Sequence, residues 1–213
     1  PEVPAGAFLV CDASSDIFSR PLDIKKYGII YAGAQKNLGP SGVTLVIIRK
    51  DLVEKGAKEL PTMLQYRTHA ANESMYNTPP VFSIYVSMLN LLWLKNKGGV
   101  EAIEKLNITK AKTLYDEIDR NSLFYGIASI AHRSRMNVTF RTYDHVHESE
   151  FLEYADMKGI VGIKGYRTAG GFRASLYNAL PLESVNALVA AMHEFEKIIS
   201  IKKSSKKKIE LAY

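Results

Sequence analysis

Ile29-Ile30-Tyr31-Ala32-Gly33-Ala34-Gln35-Lys36-Asn37 is the stretch that decides the fold class of this chain of 213 residues. Residues 29–32 are apolar, and a turn of small residues follows, carrying Lys36. Residues 7–11 form a similar run before it and residues 43–48 another after it. Runs that are apolar throughout suit strands covered on both faces, as in a parallel or mixed sheet. The first half is therefore expected to be α/β. In open α/β sheets, ligands gather at the carboxyl ends of strands. Asp12 ends the first run and Lys36 lies just past the second, so both are placed for chemistry.

Working outward, residues 65–80 are rich in turn formers and read as a loop ending Tyr76-Asn77-Thr78-Pro79-Pro80. Phe82, Tyr85, Val86, Leu89 and Leu92 then recur at helical spacing, which predicts one core-facing apolar stripe. Gly98-Gly99 breaks that helix, and a second is expected over 100–119, with Ile103, Leu106, Ala111, Leu114, Tyr115 and Ile118 inward. The rest reads as α+β. Met136, Val138 and Phe140 alternate, predicting a half-buried strand over 135–141. A short helix over 149–158, a strand over 172–180 and a final helix from about 182 complete the pattern. In the final helix Val185, Leu188, Val189, Met192, Phe195 and Ile199 form the inward stripe. A domain boundary is expected near Asn96, giving domains of 1–95 and 96–213.

Composition excludes several classes. The hydrophobic share of 46% and charged share of 23% are ordinary globular values. The net charge is +6, but residues 201–213 hold five lysines and one acid, leaving the body at only +2. The basic end reads as a solvated tail, so neither a nucleic-acid face nor a membrane contact is expected. The longest apolar run, 43–48, is far short of the roughly 18 residues that span a bilayer. The single cysteine, Cys11, reads as a buried core thiol; it rules out an internal disulfide and favours a reducing compartment such as the cytoplasm. The chain opens Pro1-Glu2-Val3-Pro4 and enters an apolar run almost at once, so it is expected to begin inside a larger protein.

Among candidate site residues, Lys36 is the sharpest. Its small neighbours admit a flat ligand, and partial burial favours the neutral amine that attacks an aldehyde. Asp12 could pair with the ring nitrogen of a cofactor such as pyridoxal phosphate, or simply cap a turn. Arg167 and Arg173 flank Gly170-Gly171 and could grip anionic groups, or form surface ion pairs. His145, His147 and Glu148 lack a metal-ligand spacing and read as a solvated loop, so no metal site is expected. Trp93 reads as packing.

Three blocks carry a resemblance. Cys11-Asp12-Ala13-Ser14-Ser15-Asp16, residues 31–42 (Tyr-Ala-Gly-Ala-Gln-Lys-Asn-Leu-Gly-Pro-Ser-Gly) and Tyr76-Asn77-Thr78-Pro79-Pro80 resemble the phosphoserine aminotransferases. Residues 164–179, with Gly170-Gly171-Phe172-Arg173-Ala174-Ser175-Leu176-Tyr177-Asn178, strengthen it. The resemblance runs to about Ile199. It implies a fold type I pyridoxal-phosphate transferase, with 1–95 the C-terminal part of a large α/β domain and 96–213 a small α+β domain bearing the tail.

The same resemblance implies pyridoxal 5'-phosphate as cofactor, held covalently by Lys36. Asp12 would pair with the pyridine nitrogen and Gln35 would contact the phosphate. Asn77 and Thr78 would reach the phosphate in the other subunit of a homodimer. Arg173 would take the substrate α-carboxylate, and Arg167 the distal phosphate or carboxylate. The implied reaction passes the amino group of glutamate to 3-phosphohydroxypyruvate, giving phosphoserine and 2-oxoglutarate for serine biosynthesis. Family members carry a long segment before the position of Pro1. A catalytically silent piece, or another pyridoxal-phosphate aminotransferase or lyase, is the alternative expectation. One departure is Tyr166, where the family commonly has histidine. A phenol donates a hydrogen bond but brings no positive charge.

Overall fold

The computed structural model describes residues 3–210; the side chains of Lys203 and of residues 206–210, most of the basic tail, lie outside the described set. The chain divides into two compact units, Pro1–Ile103 and Glu104–Tyr213. The division falls within a helix rather than at the glycine pair after Asn96.

In the first unit, β1 (Val10–Asp12), β2 (Ile29–Gly33) and β3 (Thr44–Ile48) form one sheet in that order. β1 runs parallel to β2 with Asp12 opposite Tyr31, and β2 runs antiparallel to β3 with Ile30 opposite Ile47. The sheet is therefore mixed. Its first strand begins only at Val10, later than the apolar run over 7–11, and Ala7 N donates to the Pro4 carbonyl in a turn before it. Side chains alternate along a strand, so Ile30 and Ala32 share a face and are buried with Ala13 and Ile17. Tyr31 and Val10 remain 36% and 55% exposed. Cover on both faces, expected from the apolar runs, is thus not found among the described residues. Cys11 is half-buried rather than a core thiol.

Two short helices follow, α1 (Lys50–Val53) and α2 (Tyr66–Ala71), the second inside the stretch expected to be loop. Helix α3 (Val81–Asn96) begins directly after Pro79-Pro80, whose fixed φ suits a helix start. It ends at Gly98, which takes a φ of +97° that terminates helices readily. The expected apolar stripe is not its buried face. Phe82, Tyr85, Leu89 and Leu92 are exposed, while Ser87 and Leu94 are buried.

The second unit takes most of α4 (Gly99–Arg120), then β4 (Phe124–Gly126), β5 (Asn137–Thr142), α5 (Val146–Met157), β6 (Phe172–Ser175) and α6 (Leu182–Glu210). Its sheet is antiparallel in the order β4-β5-β6. β5 alternates buried Val138, Phe140 and Thr142 with half-exposed neighbours, as its pattern predicts. β4 gave no signal because it has three residues and ends in glycine. α5 starts earlier than expected and stops at Gly159, whose φ is +75°. β6 is shorter than expected: a turn over 176–180 replaces its second half. On α6, Val185, Leu188, Met192, Phe195 and Ile199 are buried as the stripe predicts. On α4, Leu106 is 36% exposed, but the other expected contacts are buried.

Candidate functional site

Asp12 stands at the carboxyl end of β1, and β2 ends beside it. Ser14 turns back and donates to Asp12 Oδ1 from both its backbone N (2.9 Å) and its Oγ (2.6 Å). The same Oγ accepts from the Gly33 amide at 3.0 Å, which ties the ends of the two strands together. These bonds hold the Asp12 carboxyl below its usual range, with Tyr31 and Lys36 adding to the effect. Asp12 in turn pushes the Tyr31 phenol up.

Past β2 the chain coils tightly. The amides of Lys36, Leu38 and Gly39 all point to the Ala34 carbonyl. This half-buries Lys36, whose Nζ donates to Ser15 Oγ at 2.5 Å. Gln35 folds back over Gly33, where a Cβ would lie 2.6 Å from Gln35 Oε1. Helix α3 buttresses the coil with its polar side. Asn90 donates to the carbonyls of Asn37 and Leu38 at 2.7 and 3.0 Å, and Ser83 to Ser41 O at 2.9 Å. A Cβ on Gly39 would lie 2.4 Å from Ser87 Oγ, so glycine permits the close approach of coil and helix. Sequence reasoning missed Ser14, Ser15 and Asn90. The available signal was Ser83, Ser87 and Asn90 at i, i+4, i+7 along an otherwise apolar helix.

Asn77 and Thr78 are exposed just before α3. Among the described residues neither makes a hydrogen bond to Asp12, Gln35 or Lys36; Asn77 Nδ2 donates to Thr78 O at 3.1 Å. The structure brings Lys36 close enough to Asp12 to lower its carboxyl pKa, with Gln35 beside them over Gly33.

In the second unit, Arg173 lies on β6 opposite Thr139. Its Nε is buried without a hydrogen-bond partner. Arg167 is exposed in the loop that leads to β6. That loop closes through Gly165 N to Gly171 O (2.8 Å) and Arg173 N to Ile163 O (2.8 Å). Glycine is required at 165, where a Cβ would fall 2.0 Å from Gly170 O. Lys164, Gly165, Tyr166, Arg167 and Arg173 line an open cavity of about 410 Å³. Six other arginines pair with carboxylates: Arg20, Arg49, Arg120, Arg133, Arg135 and Arg141. Among the described residues Arg67, Arg167 and Arg173 have no such partner; Arg67 Nε donates instead to Gln65 Oε1 at 2.7 Å. Surface ion pairing, the simpler expectation for Arg167 and Arg173, is not what the structure shows. An unpaired buried donor carries a desolvation cost that an incoming anion would relieve.

The histidine cluster is not a free loop. His145 precedes α5, and Glu148 within α5 accepts from Arg141 Nε at 2.9 Å and contacts His145 at 3.1 Å. Among the described residues no group of three His, Cys, Asp or Glu side chains is placed to hold a metal. Nor is any described helix long and apolar enough to cross a membrane.

Residues 3–188 match the family model of class-V aminotransferases. The chain belongs to this family. It is 57% identical over 199 residues to the phosphoserine aminotransferase of Azobacteroides pseudotrichonymphae, covering 92% of this chain and 55% of that protein. The phosphoserine aminotransferase structure from Bacillus circulans subsp. alkalophilus superposes with a TM-score of 0.88 at 48% identity, covering 91% of this chain and 54% of that one. A phosphoserine aminotransferase from Trichomonas vaginalis, solved with pyridoxal phosphate bound, gives a TM-score of 0.85 at 41% identity over 91% and 55% of the two chains. The chain spans about half the length of the relatives it matches. The fold is the α/β architecture of fold type I, which the resemblance implied; the apolar runs alone implied only α/β.

Proposed function

We propose that this chain serves pyridoxal-phosphate-dependent transamination between glutamate and 3-phosphohydroxypyruvate, giving 2-oxoglutarate and phosphoserine. The observation that carries the reading is the Asp12–Lys36 group: a carboxylate held ionised beside an amine, at the ends of two neighbouring strands. That pair fits pyridoxal phosphate. When bound, the cofactor supplies an aldehyde to carry the amino group and a protonated ring to withdraw electrons.

With the cofactor bound, Lys36 Nζ would hold it covalently and would carry the proton at the substrate Cα. Ser15 Oγ holds that nitrogen in place. Asp12 would pair with the ring nitrogen and keep it protonated; a carboxylate is charged at neutral pH, and the lowered pKa keeps it so further into acid. Gln35 serves the phosphate. In the second unit Arg173 takes the substrate α-carboxylate and Arg167 the distal anionic group. Two arginines without partners suit a substrate with two anionic ends, which speaks against a lyase acting on a simple amino acid.

The first unit is then the C-terminal part of the cofactor-binding large domain and the second the small domain. The exposed apolar side of α3, beside Asn77 and Thr78, supports a homodimer in which those two residues serve the partner's cofactor. The single cysteine and near-neutral body support a cytoplasmic protein that engages neither nucleic acid nor membrane.

The test is a coupled assay of 2-oxoglutarate formation by the full chain with pyridoxal phosphate, glutamate and 3-phosphohydroxypyruvate. Turnover is expected, and Lys36→Ala should lower it by about 10²–10⁴-fold, the usual scale of a lost acid–base group. A preference for pyruvate or glyoxylate as amino acceptor would overturn the substrate assignment. The uncovered side of α3 favours a second reading, that the chain alone is catalytically silent. Cofactor binding without turnover would decide for it.

A further inference from the structure

We propose that Lys110 is a positioning residue: its buried ammonium clamps the turn that ends β6 and so fixes the register that presents Arg173. Lys110 lies on α4 and is wholly out of contact with water. Its Nζ donates to the carbonyls of Leu176 (3.0 Å), Tyr177 (2.9 Å) and Leu180 (3.1 Å). An ammonium has three hydrogens, and all three are used. Among the described residues no carboxylate lies within 4.0 Å of it. Burial pushes its pKa down to about 8, so carbonyl dipoles alone hold the charge at neutral pH.

One turn earlier on the same helix, Asn107 Nδ2 donates to Asn178 Oδ1 at 2.9 Å. α4 thus grips the turn over 176–180 at four of its residues. From the other side Met136 and Asn137, just before and at the start of β5, hold the adjoining residues. Leu176 N donates to Met136 O at 2.7 Å, and Ser175 Oγ and Tyr177 Oη both reach Asn137 Oδ1.

The consequence lies three residues upstream. β6 has only four residues, and its side chains alternate between Arg173 and Ser175 on one face and Phe172 and Ala174 in the core. A slip of one residue would send Arg173 toward the phenylalanines and bring Ala174 to its place. The buried Phe172 and Ala174 already disfavour such a slip, and the four backbone pairs of β6 are backed by the turn that follows. A three-pronged clamp on the next turn specifies it strongly, because no shifted turn would set three carbonyls at the same point. An apolar side chain could fill the space but could not choose the register.

The role assigned to Arg173 rests on the proposed function; the clamp itself is testable without it. The experiment measures residue-resolved amide hydrogen exchange on the full chain and on Lys110→Met, together with glutamate affinity from the Arg173 Nε–H signal. We expect protection at Arg173, Leu176 and Leu180 to fall tenfold or more while Leu114 on α4 and Met192 on α6 keep theirs. Glutamate affinity should fall at least tenfold. Lys110→Gln keeps two donors on a shorter chain; it should give intermediate losses and serves if Lys110→Met does not fold. A uniform loss across the second unit would overturn the proposal, since Lys110 would then only stabilise the core. So would unchanged exchange over 173–180. If wild type binds no glutamate yet the localised exchange loss is seen, the clamp stands and the reading of Arg173 fails.

Discussion

In the second unit, Phe124, Phe140, Phe151 and Phe172 meet with ring centroids 4.8–6.0 Å apart, and none is more than 1% exposed. In the first, α3 turns Phe82, Tyr85, Leu89 and Leu92 outward, at 74%, 54%, 44% and 47% exposure. The two units hold themselves together differently. The second closes its own aromatic core around one antiparallel sheet. The first buries four small or aliphatic residues against its sheet and relies on side-chain-to-backbone bonds around the lysine coil. The lesson concerns the sites. Arg173 rides on a packed core, whereas Lys36 and Asp12 rest on Ser14, Ser15 and Asn90, each replaceable by one substitution.

The comparison breaks first if the aromatic core is dispensable. Phe140→Ala should cost about 3–5 kcal/mol, the usual range for emptying such a site. Chemical denaturation followed by the second unit's tyrosines measures it; a loss below about 1 kcal/mol would show that the core does not govern that unit. Next in size is Arg173→Ala. Removing a charged partner from a bound carboxylate should lower kcat/KM for glutamate by about 3 kcal/mol, or about 150-fold, with denaturation unchanged. Equal losses in stability and in kcat/KM would mean that Arg173 is structural.

Ser14→Ala sharpens the picture of the first unit. The Asp12 pKa lies below its unfolded value of 3.8 because Ser14 donates twice to it. Its contribution is therefore present above that value and is lost as pH falls through the lower, folded one. Without Ser14 the folded pKa returns toward 3.8, so this acid-side loss shrinks. Carboxyl NMR of Asp12 in both proteins checks the sign; an unmoved titration would remove Ser14 from the account. The smallest effect on stability is expected from Phe82→Asp, within about 0.5 kcal/mol for the monomer. The same substitution should convert a dimer to a monomer in sedimentation, and a dimer that survives it would place the contact elsewhere.

Much of this was legible in the sequence, for identifiable reasons. Asp12 could be placed because an apolar run ends at it and Lys36 because it lies just past another, and ligands gather at strand ends in such sheets. The α6 stripe and the β5 alternation were legible because a local core covers them. The α3 stripe was misread because periodicity tells which residues prefer to leave water, not whether this chain supplies the cover. β4 was missed because pairing with β5 defines it. Ser14, Ser15 and Asn90 were missed because they carry no charge. Lys110 was lost among nineteen lysines, since nothing local marks the one that is buried.

The most direct test of the account is to incubate the full chain with pyridoxal phosphate, reduce it with borohydride and map the adduct by peptide mass. The account predicts one adduct, on Lys36, lost in Lys36→Ala and weakened in Ser15→Ala. No adduct, or label spread over the exposed lysines, would contradict it.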